Sequence, residues 1–467
     1  MHSAWETIRQ QLQGKKIAIL GLGMEGRSTL SHLQTILPGQ TFRVCDINPD
    51  ILGQHGRESA MPGVEYHIGP DYLKGLSEAD IVFKSPGIPV SVLEPLSLKA
   101  QITSQTDLFI RLYRSQVVGI TGTKGKSTTA SFLYHLLSSA GKKALLVGNI
   151  GMPCFDVMDQ IEGDTIIVFE MSSHQLQDMG VSPHVSILLN IFEEHLDYYP
   201  SYEAYQQAKI NIARWQVPGD VLICHSASPI LRKLLSRLDI PSRVLGFGPP
   251  DPGYAAAIVR DGDDFLFDDG RQRIRLEGAA GLVPLPGEHN LENAAAAIAA
   301  AIVMETSANE IIQAIPAFKP LPHRLEYVGR FGGVDYYNDS ISTIPEATMA
   351  AIKALPSVQT LILGGKDRGV DFHGLMHYLS GSEVDNFCFT GDAGRRMRII
   401  AEALKGFRGK RLVGPLAFDD CVMEAIGLSK APATCLLSPA AASYDAFGDF
   451  KERGERFKAI IAGHVMT

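Results

Sequence analysis

The sequence predicts a parallel α/β protein built from three domains. Runs of Val, Ile and Leu that end in Gly, Ser or Asp recur along the chain, and such runs mark strands buried on both faces. Helix-like stretches separate them, which is the alternation a parallel sheet requires. At 467 residues the chain is too long for one ordinary domain.

The strand-like runs fall into three groups. KKIAILGLG (15–23), FRVCDIN (42–48) and ADIVFKSPG (79–87) come first. VVGIT (117–121), KKALLVGNIG (142–151), TIIVFEMSS (165–173), VSILLNIFEEH (185–195) and DVLICHS (220–226) follow. TLILGGKD (360–367), NFCFTG (386–391) and TCLLSP (434–439) close the series. Boundaries near Leu112–Gln116 and at the proline-rich IPAFKPLPHR (315–324) give expected domains of 1–114, 115–321 and 322–467. Between Pro249 and Pro286, short alternating segments with tight turns predict a β-rich insertion in the middle domain.

Composition narrows the function classes. With 43 basic against 51 acidic residues the formal net charge is −8, which argues against a dedicated nucleic-acid binder. The six cysteines form no CxxC pair, so neither a zinc site nor a disulfide framework is signalled, and a reducing compartment is expected. The N-terminus lacks a secretory pattern, and the longest apolar run, Ala294 to Met304, is too short to span a bilayer. The expectation is a cytoplasmic protein that engages neither membrane nor nucleic acid.

The sharpest motif follows VVGIT: Gly122-Thr123-Lys124-Gly125-Lys126-Ser127-Thr128, then an apolar-periodic helix. Glycines let backbone N–H groups turn around phosphate oxygens, and a helix N-terminus adds positive field. Lys126 would sit on the β/γ phosphates and the Ser127 hydroxyl would reach Mg²⁺. Ile120 stands where the standard pattern has its first glycine, so TGTKGKST is a variant; a ligand-free glycine turn is the competing account.

Two further strand ends belong to the same predicted sheet edge. One carries Glu170; the other carries Asn190, Glu193, Glu194, His195 and Asp197. Ligands collect at that edge in α/β folds, and hard oxygen donors beside a triphosphate suit Mg²⁺. Singly, a Glu there is more often a solvated carboxylate and a His more often scaffolding. A second glycine turn, Gly21-Leu-Gly23-Met24-Glu25-Gly26, follows the first strand, with Asp46 ending the next, and resembles a dinucleotide fingerprint.

Together these motifs resemble the Mur ligases and their relative folylpolyglutamate synthase, over nearly the whole chain. The resemblance implies an ATP-dependent ligase that makes an amide bond through an acyl phosphate. It implies an ATP site of Gly122 to Thr128 with Asn290 and Asn293 of PGEHNLENAAAA, Arg324 of LPHRLE and Asp339 of YYNDSIST. It implies two Mg²⁺ ions held by Ser127, Glu170, His195 and a CO₂-carbamylated Lys209, with Lys126, His195 and Lys209 as catalytic groups. Within the family, the member that adds glutamate to UDP-N-acetylmuramoyl-L-alanine is the best match. Its nucleotide-sugar site would comprise Gly23, Met24, Glu25, Asp46, Ser85, Gly87 and Asn149. Its amino-acid site would comprise Thr343, Arg368, Ser443, Tyr444 and Phe450. Small-molecule substrates and a monomer are implied.

Some positions depart from the family pattern. The segment usually reading NDSKATN reads NDSISTI, with Ile341 for a lysine and Ile344 for an asparagine. In GGKDRGVDF, Lys366 or Arg368 would meet the incoming side-chain carboxylate. D-glutamate, L-glutamate and another acid therefore stay open as acceptor. The resemblance also implies that His195 or Glu194 takes the amine proton, and that the C-terminal domain closes about Pro316–Pro322. A folylpolyglutamate synthase-like ligase and an ATP-binding regulatory protein are the rival functions.

Overall fold

The computed structural model describes residues 3–465 apart from 50, 53–60, 149–151, 195–197, 251–256, 320–321 and 356. Asn149 and His195 lie outside the described residues.

Three sheets organise the chain. The first contains β1 (Ile17–Leu20), β2 (Phe42–Asp46), β3 (Val64–Ile68), β4 (Ile81–Lys84) and β5 (Gln101–Thr103), in the order β3-β2-β1-β4-β5 with every pair parallel. Strand order reverses between β1 and β4, so a crevice opens beyond their carboxyl ends.

The second sheet has nine strands: β6 (Val117–Thr121), β7 (Ala144–Gly148), β8 (Ile166–Glu170), β9 (Val185–Leu188), β10 (Val221–His225), β11 (Arg243–Phe247), β12 (Ala257–Asp261), β13 (Asp264–Asp268) and β14 (Arg273–Leu276). Their order is β14-β13-β12-β11-β10-β9-β6-β8-β7. Strand β6 sits between β8 and β9, and each of its residues is buried, as its VVGIT composition requires. The strands expected between Pro249 and Pro286 are present, but they extend this sheet. Parallel pairing of Gly246 with Ala257 attaches β12 to the edge, and antiparallel β13 and β14 continue it.

The third sheet contains β15 (Glu326–Phe331), β16 (Val334–Asn338), β17 (Val358–Gly364), β18 (Asn386–Thr390), β19 (Arg411–Leu416) and β20 (Ala433–Leu437), ordered β15-β16-β20-β17-β18-β19. Only β15 is antiparallel to its neighbour. Alternate residues feed separate cores. Leu361 and Leu363 join one apolar cluster, while Ile362 joins the other.

By internal contacts the chain forms two compact units, Met1–Val283 with Glu292–Phe318, and Pro284–Leu291 with Lys319–Thr467. The first two sheets belong to the former and share one apolar cluster that includes Ile19, Phe83, Phe109 and Phe169. The third sheet belongs to the latter. Among the described residues no helix is long and apolar enough to cross a membrane.

Candidate active site

Strand β6 ends at Thr121 and the helix Lys126–Ser139 begins five residues later, so TGTKGKST is a strand-to-helix turn as expected. Gly125 is left-handed at φ 86°, and a Cβ there would collide with the Asn293 side-chain amide. The turn is braced from the end of β9. Asn190 accepts from Thr123 N (2.8 Å, through its carbonyl) and from Lys124 N (2.8 Å, through Oδ1). The first turn of a helix leaves its amides without intrahelical acceptors. Here those amides belong to residues beginning at Lys126, beside the half-buried Ser127 and a buried Thr128 hydroxyl that has no partner among the described residues.

Three lysines converge on this turn. Lys126 Nζ donates to the carbonyls of Gly122 (2.9 Å) and Thr123 (3.1 Å). Lys124 Nζ pairs with Glu194 at 2.7 Å. Lys209 Nζ, deeply buried, donates to Gly122 O at 2.8 Å and lies 4.9 Å from the Tyr205 ring centroid. Burial, reinforced by the charge of Lys126, holds the Lys209 ammonium well below the ordinary lysine range. Its helix, Tyr202–Arg214, is capped by Ser201, which accepts from Ala204 N at 3.2 Å. Tyr205, Lys209 and Ile212 lie on that helix's buried face, and the Tyr205 hydroxyl reaches Thr123 Oγ1 at 2.9 Å.

Glu170 ends β8 opposite Ile120 of β6 and is fully buried. A buried carboxylate at the strand end next to a glycine–lysine–serine turn would suit a Mg²⁺ ion that takes its remaining ligands from phosphates and water. Among the described residues no three His, Cys, Asp or Glu side chains form a cage by themselves.

At the first sheet, a cavity of about 510 Å³ lies beyond the carboxyl ends of β1, β2 and β4. Gly23, Met24, Glu25, Asp46, Ser85 and Gly87 all line it. Asp46 accepts from Leu22 N at 2.7 Å and Asn48 N at 2.9 Å, while Ser85 Oγ donates to Gly21 O at 2.7 Å. The half-buried Glu25 accepts from Gln175 Nε2 at 2.7 Å, and burial pushes its carboxyl up to about 6.

The third sheet gathers a separate set. Asp339 follows β16 and accepts from Ser438 Oγ (2.7 Å) and Leu325 N (3.1 Å). Burial pushes it up to about 6 against the pull of Ser342, Ser438 and Arg324. Arg324 Nε is buried without a partner among the described residues. Lys366 N bonds Ala442 O at 2.8 Å, which brings the loop carrying the exposed Arg368 beside the one carrying the buried Ser443. Tyr444 is exposed; Thr343 and Phe450 are half-buried. Asn290 donates to Pro286 O at 2.7 Å, and it and Asn293 share the helix Glu288–Val303.

Several organising residues carry no local signal. Arg453, 1% exposed, donates to Ser340 O (2.8 Å), Ala441 O (3.1 Å) and Ala442 O (3.2 Å), and so ties two site loops together. In KERGERFK it reads as one more surface charge. Tyr205 was discoverable from the apolar helical stripe it shares with Lys209.

Residues 120–301 match the Mur ligase middle domain, and residues 323–441 match the Mur ligase glutamate ligase domain. The chain belongs to the Mur ligase family. Its relatives include UDP-N-acetylmuramoylalanine–D-glutamate ligases. That of Symbiobacterium thermophilum is 33% identical over 96% of this chain and 98% of its own. That of Acetivibrio thermocellus is 30% identical over 99% of both chains. The fold is shared with the MurF ligase of Thermotoga maritima in complex with ADP (TM-score 0.57, 16% identity, 98% of this chain and 97% of that one). It is also shared with E. coli FolC in complex with DHPP and ADP (TM-score 0.57, 17% identity, 81% and 99%).

Proposed function

We propose that this protein is the ADP-forming ligase that joins D-glutamate to UDP-N-acetylmuramoyl-L-alanine in the cytoplasm. The observation that carries the reading is the convergence of Lys126, Lys209 and Glu170 on the Gly122 turn, in a chain whose full-length relatives bear that name.

A carboxylate is a poor electrophile. The muramoyl-alanine carboxylate attacks the γ-phosphorus of ATP, the bond to ADP breaks, and an acyl phosphate results. Lys126, already aimed across the turn, offsets charge on the transferring phosphoryl group. Mg²⁺, held by Ser127, Glu170 and His195, would supply charge neutralisation on the phosphates. The amine of the amino acid then attacks the acyl carbon and phosphate leaves. Glu194 or His195 takes the amine proton, and Lys124 orients Glu194 through their 2.7 Å pair.

Carbamylation of Lys209 belongs to this reading. A neutral lysine amine attacks CO₂, forming an N–C bond and releasing one proton. The depressed basicity of Lys209 favours the neutral amine. Arg368, with Ser443 and Phe450, is assigned to the incoming side-chain carboxylate, where a guanidinium binds in bidentate fashion. This assignment favours glutamate despite Ile341 and Ile344.

The test offers the purified protein ATP, Mg²⁺ and UDP-N-acetylmuramoyl-L-alanine with single amino acids, and weighs the product by mass spectrometry. A D-glutamyl adduct formed with one phosphate per product is expected. Adduct with L-glutamate alone, or phosphate release that needs no acceptor, overturns the reading.

A further inference from the structure

The loop Ser85–Pro89, which forms one wall of the cavity at the first sheet, is held from behind by a lysine. Lys84 is the last residue of β4, in the otherwise apolar run IVFK, and its side chain is 1% exposed. Its ammonium donates to Ile88 O at 2.8 Å and pairs with Asp178 Oδ2 at 2.9 Å. The Tyr198 hydroxyl comes to 2.8 Å from the same Ile88 carbonyl and 2.9 Å from that of Pro86. Tyr198 is fixed in turn by ring contacts with His174 (4.2 Å, edge-on) and Tyr199 (4.8 Å). Asp178 and Tyr198 both come from segments flanking β9 of the second sheet.

Burying an ammonium costs several kcal/mol even when it is paired, and an apolar side chain would fill a strand end without that cost. What the charge does here is specific. It holds the carbonyl of Ile88, a residue that lines the cavity, and places a cation behind a wall that an anionic ligand would approach. The charged groups that line the cavity itself, Glu25 and Asp46, are acidic and would repel a diphosphate.

We propose that Lys84, braced by Asp178 and Tyr198, is a positioning and specificity-determining residue for the nucleotide diphosphate of the first substrate. It shapes the Ser85–Pro89 wall and sets the cationic end of the buried Lys84–Asp178 pair behind a lining whose own charged groups are acidic. This rests on the assignment of the cavity to a nucleotide sugar. The subsite is then a joint product of two sheets, with the wall from one and its brace from the other.

The experiment measures binding of UDP, UDP-N-acetylmuramoyl-L-alanine and a non-hydrolysable ATP analogue to the full chain by calorimetry, together with steady-state kinetics. Lys84→Met should weaken UDP binding about tenfold and raise KM for the nucleotide sugar comparably. ATP-analogue affinity and kcat should stay within about threefold. Because Lys84→Met leaves Asp178 buried without its cation, a Lys84→Met/Asp178→Asn double variant separates the two roles. Its thermal stability should recover while UDP affinity stays low, and Lys84→Arg should restore part of that affinity. Recovery of UDP affinity along with stability in the double variant would overturn the proposal, as would unchanged UDP affinity in Lys84→Met. Failure of the wild-type chain to bind UDP at all would overturn the parent assignment and this inference with it.

Discussion

Two glycine-rich turns in one compact unit use the same backbone device under opposite electrostatics. Each leaves a buried parallel strand and opens onto the carboxyl edge of its sheet, with a helix beginning at Met24 in one and Lys126 in the other. Around the Gly122 turn stand Lys124, Lys126 and Lys209. Around the Gly21 turn stand Glu25 and Asp46, and a buried cation, Lys84, lies behind the wall. A strand-to-helix turn therefore fixes only the backbone, and the side chains converging on it from elsewhere decide what it can hold. Lysines beside a buried carboxylate suit a metal-bound triphosphate whose charge changes during reaction. Acids held by amide donors, backbone for Asp46 and the Gln175 side chain for Glu25, suit a ligand offering hydroxyl and base donors as well as a diphosphate.

The largest effect should come from removing charge at the second turn. Lys126→Ala should lower kcat by about a thousandfold, the scale of losing one transition-state charge contact, and leave UDP affinity unchanged by calorimetry. An equal loss of UDP affinity would mean that the two turns are not separate sites. Next in size is Lys209→Arg, whose guanidinium stays charged and cannot react with CO₂; about a hundredfold loss of kcat is expected. Wild-type turnover in CO₂-depleted buffer should fall and return with bicarbonate, while the variant shows no response.

Paired glycine substitutions should sharpen the contrast. Gly125→Ala places a Cβ against Asn293 at φ 86° and should weaken ATP-analogue binding about tenfold, with UDP binding intact. Gly26→Ala drives a Cβ into the Gly21 carbonyl and should do the reverse. Either variant disturbing both ligands equally would break the comparison. The smallest expected effect is one of pH. The carboxyl of Glu25, raised to about 6, is anionic at pH 7.5 and largely neutral near pH 5. Protonation removes a repulsion from the diphosphate, so affinity for the nucleotide sugar should rise a few-fold as pH falls through that window. Glu25→Gln should flatten the profile; a wild-type profile already flat would remove Glu25 from the subsite.

Much of the fold was legible because buried parallel strands are continuous apolar runs; IAIL, VVGIT, IIVFE and VLICH all became strands. Strands of mixed exposure were not legible. β3 (VEYHI) and β15 (EYVGRF) mix partly exposed and exposed positions, and β5 (QIT) is three residues long, so none stands out from loop sequence. The strand-to-helix turn at Gly122 was readable because its glycines, lysine and serine are adjacent in the chain. The position of Glu170 at a strand end was readable because an apolar run stops there.

What the sequence alone determined is the set of local devices: strand-to-helix turns, capped helices, and polar residues where apolar runs stop. These depend on neighbours a few residues apart, and their chemistry is written in consecutive letters. Tertiary structure alone decided which charges face which turn. Lys209 reaches Gly122 across 87 residues, Tyr198 reaches Ile88 across 110, and Arg453 reaches Ser340 across 113. Burial then sets the strength of those charges, because the cost of an ionised group depends on all that surrounds it in space.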